Sequence, residues 1–229
     1  MSTLAQLRLR VRYNLGEPSG EQRFYNVSIN ANLNESYRYY LAQLIDNGES
    51  NFTTTVSIDF VANQAEYALP SDWVKTRMVE RVTTFGTVPL ERFERYETTN
   101  ITIGGNAGDW FLPSYRFRGQ NLVFEPKPTF SQVGAVIHEY YAEPANLVAD
   151  GDSPSTGFIE TWQDMMVIRA TLSELENKDA VGGVSDINSF RLRLQNMEEA
   201  FRKLMTGRSQ ARDKVERYGY DYYDNYNVY

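Results

Sequence analysis

Helical periodicity stands at both ends of this chain, and the long stretch between them carries strand patterning instead. Near the start, Leu4, Leu7, Val11 and Leu15 recur three to four residues apart, which places them on one apolar stripe of a helix. Arg8, Arg10 and Arg12 fall off that stripe, and Gly16-Glu17-Pro18 predicts its stop. A second helix is predicted from Ser28, read as its N-cap, with the face Leu33, Tyr37, Tyr40, Leu41 and Leu44. Asn47-Gly48 ends it, glycine being suited to the left-handed turn after a helix. The pattern returns after Pro154 and Ser155 with Phe158, Trp162, Met165, Met166, Leu172 and Leu175, up to Gly182-Gly183. A last helix, capped by Ser185 or Asp186, has the stripe Ile187, Phe190, Leu194, Met197, Phe201 and Leu204, and Gly207 is read as its end.

From Thr53 to about Ala149 the chain is rich in Thr, Val, Tyr and Phe with regular Pro and Gly, the marks of a β region. Val56, Ile58 and Phe60 alternate with Ser57 and Asp59. Asn63-Gln64 reads as a turn, and Glu66 to Leu69 as the return strand of a hairpin stopped by Pro70. Tyr115 and Phe117 are answered by Leu122 and Phe124 across Gly119-Gln120, a Gly-first loop that suits a type II′ hairpin. A strand is read near 78–84, and another from Val133 to Tyr141 with Gly134 at a bulge.

Two helical pairs separated by strands would each leave an apolar face uncovered, and packing them together buries all four. The predicted fold is α+β. A discontinuous four-helix bundle (1–50 and 154–207) carries an inserted antiparallel β domain (51–153) and an extended C-terminal arm (208–229).

Composition removes most chemistry. There is no cysteine and one histidine, which removes disulfides, thiolate nucleophiles and cysteine metal sites and argues against most zinc chemistry and the serine–histidine or cysteine–histidine engines, His138 keeping a few options open. A net charge of −7 argues against a protein that grips nucleic acid by neutralising phosphates. No segment has the run of about 20 apolar residues a bilayer span needs, so no membrane partner is expected. The first residues alternate leucine with arginine and lack the apolar core of a signal peptide, which predicts synthesis in the cytoplasm. No phosphate-loop, nucleophile-elbow or zinc-protease motif is present, and no catalytic residue, cofactor or metal is expected. The glycine-rich run 104–108 reads as a flexible turn. His138, in a strand beside Glu139, reads as packed or hydrogen-bonded and not catalytic. Asp150-Gly151-Asp152-Ser153 fails the EF-hand spacing and reads as an acidic loop leading to a helix N-terminus.

The C-terminal end is unusual. Arg202, Lys203, Arg208, Arg212, Lys214 and Arg217 face only Asp213 and Glu216 in the same stretch. The sequence YGYDYYDNYNVY then brings Tyr218, Tyr220, Tyr222, Tyr223, Tyr226 and Tyr229 together. Tyrosine offers large contact area with a polar tip, the chemistry enriched at binding surfaces. Arg208, Arg212, Lys214, Arg217 and these six tyrosines are the candidate docking residues, set against a solvated helix end and an unordered terminus as the plain alternative.

Several short motifs occur in a meaningful order. Tyr67-Ala68-Leu69-Pro70-Ser71-Asp72-Trp73 resembles the Tyr-x-Leu-Pro-x-Asp step of head-to-tail adaptor (connector) proteins of tailed bacteriophages. Tyr115 through Leu122-Val123-Phe124-Glu125-Pro126-Lys127-Pro128 is similar to that family's tyrosine strand, hairpin and Pro-x-Pro. Tyr140 through Pro144 to Leu147 resembles its Tyr-x-x-x-Pro-x-x-Leu step, and Asp152-Ser153-Pro154 its entry to the third helix. The likeness covers residues 4–206 and involves scaffold positions only. It implies a virion protein at the head-tail junction. About a dozen copies would form a ring on the portal protein, continue the DNA channel without binding the genome tightly, and present a platform to neck or tail proteins. A tail-tube or stopper ring subunit is the alternative within virion proteins. From other classes come a carbohydrate- or protein-binding β module with Tyr67, Trp73, Trp110, Phe111 and Tyr115 as a stacking platform, and a carboxylate-only hydrolase.

Overall fold

The computed structural model describes residues 2–17, 24–48, 50–93, 112–155, 157–177 and 184–221, and within the last stretch side chains are described for 187–206. It is an α+β protein, with four α-helices and antiparallel sheets among the described residues, in two compact units. One unit joins Met1–Asn51 to Ala145–Tyr229, and the other is Phe52–Pro144.

In the first unit α1 (Leu4–Asn14) starts at a capping box. Thr3 Oγ1 accepts from the Gln6 amide at 3.4 Å, and the Gln6 side chain accepts from the Thr3 amide at 2.9 Å. The amides of Leu4 and Ala5 donate to the carbonyls of Asp152 and Asp150 at 2.7 and 3.2 Å. The acidic loop therefore serves the N-terminus of α1. α2 (Asn26–Asp46) begins at Tyr25, which makes no side-chain cap bond. Ser28, the expected N-cap, sits inside the first turn and donates its hydroxyl to Glu174.

α3 (Glu160–Asn177) packs against α1, α2 and α4, so helices from the two ends of the chain share one core. Leu4, Leu7, Leu33, Tyr40, Leu44, Phe158, Met165 and Met166 are all fully buried there. Each such side chain contributes on the order of 1.5–3 kcal/mol of transfer free energy. Beyond their stripe, Arg8 pairs with Asp150, Arg10 with Asp164 and Arg12 with Glu17. α4 (Val184–Asp221) runs straight through the expected stop at Gly207. One glycine inside a helix costs only about 1 kcal/mol, and the Arg-, Gln-, Ala-, Lys- and Glu-rich segment after it favours helix. Residues 208–221 of the expected extended arm are therefore helical.

Among its described residues the second unit holds seven strands: β1 (Thr53–Phe60), β2 (Glu66–Ala68), β3 (Trp73–Thr83), β4 (Gly86–Pro89), β5 (Ser114–Arg118), β6 (Asn121–Glu125) and β7 (Gln132–Ala142). One sheet has the order β1-β7-β3-β4 and the other β2-β6-β5. The hairpin expected between β1 and β2 does not form: β1 pairs with β7, β2 with β6, in different sheets. The turn between them is real, with Asn63 at φ 68°. The β5–β6 hairpin is as expected, Arg118 opposite Asn121 and Gly119 at φ 59°. Gly134 (φ 61°) lies where the β1–β7 register shifts, and its amide donates to Asp59 at 2.7 Å. Phe60, Val79 and Val136 of the larger sheet and Tyr67, Tyr115, Leu122 and Phe124 of the smaller one form a common core.

Candidate assembly surface

The resemblance motifs can be followed residue by residue, and each holds the scaffold. Tyr67 packs at 5.6 Å from the Phe124 ring, and its hydroxyl joins the Val61 amide at 3.0 Å to the Gln64 carbonyl at 3.2 Å. Asp72 receives the Tyr140 hydroxyl at 3.0 Å, and its carbonyl receives the Glu143 amide at 2.6 Å, so two motifs distant in sequence close on one another. Leu147 is buried, and its amide and carbonyl are clamped by Asn34 at 2.8 and 3.0 Å.

The titratable candidates are held by packing and hydrogen bonds. His138 is fully buried, stacked on Tyr140 at 5.2 Å, with Nε2 2.8 Å from Thr76 Oγ1. Thr76 Oγ1 also accepts from the Trp73 indole at 3.0 Å. Burial pushes the imidazole down to about 4, so the ring is neutral at physiological pH. Asp152 is held below the usual carboxylate range by the Val148 and Ala149 amides, each 2.7 Å from Oδ2. Among the described residues no three His, Cys, Asp or Glu side chains are grouped to hold a metal ion. Arg81, fully buried, donates to the Ala135 carbonyl at 2.7 Å and to Gln132 at 2.6 Å and lies over the Phe60 ring. Sequence periodicity gave no sign of it, because an arginine in a strand reads as a solvent-facing position.

Of the proposed stacking platform, Tyr67 and Tyr115 are buried in the β core, and Trp73 is half-buried at 5.4 Å from Phe117. Trp110, Phe111 and the glycine-rich run 104–108 lie outside the described residues.

α4 is the element whose apolar stripe is least covered. Phe201 and Met205 are buried, Phe201 meeting Trp162 edge-on at 6.2 Å. Ile187, Phe190, Leu194 and Met197 are only half-buried, and Leu204, expected in the stripe, is 47% exposed. Polar contacts fix the helix in place: Glu198 accepts from Tyr40 at 2.8 Å and lies 3.9 and 3.8 Å from Arg169 and Arg202. Burial, then the Glu198 carboxylate, pushes the Tyr40 hydroxyl far above the ordinary tyrosine value. Lys203 pairs with Glu199 at 2.7 Å, so two of the six basic residues near the helix end are matched one turn earlier. Arg208, Arg212, Lys214, Arg217, Tyr218 and Tyr220 ride on the last turns of α4, where only the backbone is described. Tyr222, Tyr223, Tyr226 and Tyr229 lie outside the described residues.

The motif residues thus serve the scaffold, and the described part of α4 leaves apolar side chains half covered. The chain belongs to the SU10 adaptor protein family, whose model matches residues 2–220. It is thus a structural adaptor of the bacteriophage head-to-tail type, a virion component that meets other head and tail proteins. No match is found among curated proteins. Among the described residues no helix is long and apolar enough to cross a membrane.

Proposed function

We propose that this adaptor docks on the portal protein as a ring of about a dozen copies, continues the DNA channel and presents the platform to which neck or tail proteins attach. The family membership supports the role, and the half-covered stripe of α4 is the observation that carries the reading to a surface. A ring closes through a heterologous interface, in which one patch meets a different patch on the neighbour. The helix end from Arg208 to Arg217 is cationic and the chain as a whole is acidic, a pairing suited to such contacts. The protein is not an enzyme in this reading, and DNA passes the lumen without tight binding.

Docking separates this role from that of a stopper or tail-tube subunit: an adaptor binds the portal directly, whereas a stopper needs the adaptor first. In co-sedimentation with the cognate portal alone, the full chain is expected to pellet with it, and a chain lacking 218–229 is expected to stay folded but remain in the supernatant. Failure of the full chain to pellet until another neck protein is added would reassign the role. Duplex DNA is expected to bind negligibly at physiological salt, and micromolar or tighter affinity by anisotropy would contradict the conduit reading.

A further inference from the structure

The helical unit has a cleft of about 290 Å³ where α1, α3 and α4 meet. Its floor is the buried pair Val167 and Ile168. Its rim carries Leu9 and Tyr13, which are 66% and 85% exposed although they belong to an otherwise well-packed helix. Arg10 on the rim is matched by Asp164. Arg193, from α4, is exposed and has no ion pair among the described residues, so the cleft carries one spare positive charge. An apolar floor, an exposed tyrosine ring and a spare guanidinium suit an aromatic, acidic peptide: rings stack on Tyr13 and on guanidinium planes, and a carboxylate takes the arginine fork.

The chain itself contains such a peptide. Residues 221–229, DYYDNYNVY, hold four tyrosines, Asp221 and Asp224, and no cation. They lie past residue 220, where the family match ends, while the cleft lies within it. The same copy cannot supply the contact. Asp221 ends α4 and stands about 42 Å along the helix from Arg193 at 1.5 Å per residue. Residues 222–229 span at most about 28 Å fully extended. We infer that the α1/α3/α4 cleft receives residues 221–229 of a second copy of this chain, with Arg193 pairing to Asp221 or Asp224 and a tyrosine seated between Tyr13 and the Val167–Ile168 floor. The contact is head-to-tail, the kind from which closed rings are built. This rests on the ring reading above and names the segment that links neighbours.

The test uses the full chain with a photoreactive benzoylphenylalanine replacing Tyr13. Equal amounts of ¹⁵N-labelled and unlabelled protein are mixed, assembled on the portal, irradiated and analysed by mass spectrometry, with the same sample imaged by electron microscopy. The expected product joins position 13 to a peptide from 221–229, with half of the links joining a labelled to an unlabelled copy. Arg193→Glu is expected to cut that product about tenfold, and Arg193→Glu combined with Asp221→Arg and Asp224→Arg to restore it. Rings whose position-13 links go elsewhere, or only within one copy, would overturn the cleft assignment and leave the ring standing. Absence of rings on the portal would overturn both.

Discussion

α3 and α4 have the same kind of apolar spacing and very different surroundings. Trp162, Met165, Met166, Ile168, Leu172 and Leu175 of α3 are all buried, because three helices close around it. In α4 only Phe201 and Met205 are buried among the described side chains, and the N-terminal half of the stripe is half open. Spacing determines which residues share a face, whereas the topology of the neighbours determines whether that face is covered. In the proposed role, α3 holds the subunit together and α4 leaves area for a partner.

The largest expected effect is on the closed side. Trp162→Ala removes edge-on contacts to Phe158 and Phe201 and is expected to destabilise the protein by about 3–5 kcal/mol in urea unfolding. A loss below about 1 kcal/mol would break the contrast with α4.

Burial leaves a different signature where it covers a titratable ring, and His138 in the β unit allows that to be read through pH. Its folded value of about 4 lies below the unfolded value, so the unfolded chain takes up the proton first. Stability is full above pH about 6.5 and falls as pH drops towards 4, by on the order of 2–3 kcal/mol from this group. His138→Gln should lack that part of the acid slope in a stability–pH series, whereas variants of the helical unit should retain it.

The remaining effects concern the α2–α4 contact and α4 itself. Tyr40→Phe removes the hydrogen bond to Glu198, which keeps Arg169 and Arg202, and is expected to cost about 1 kcal/mol. Along α4 itself, Met205→Ala should cost about 2–3 kcal/mol and Leu204→Ala less than about 0.5, although the two are adjacent. Equal effects at 204 and 205 would show that the stripe is covered after all.

Much of the helical unit was legible because the signals are local. Leu4, Leu7 and Val11 are buried as their spacing implies, and Gly48 terminates α2 with φ 73°. The exchange of Leu204 for Met205 has a geometric cause: a straight helix drifts by about 20° per heptad from a strict seven-residue repeat, so the covered position slips by one. The partner of β1 was not legible, since pairing with β7 spans most of the β unit and a turn at Asn63 fits a hairpin equally well. Gly207 does not reveal by itself that α4 continues, because glycine at a helix end and glycine inside one look alike without the segment that follows. The cleft at Arg193 needs three helices from both ends of the chain, and only the fold brings them together.

The most direct test of the central claim is electron microscopy of the protein mixed with its cognate portal and nothing else. The expected result is a closed ring of adaptor subunits stacked on the portal with an open central channel. Portal particles without an added ring, alongside unassociated adaptor monomers, would contradict it.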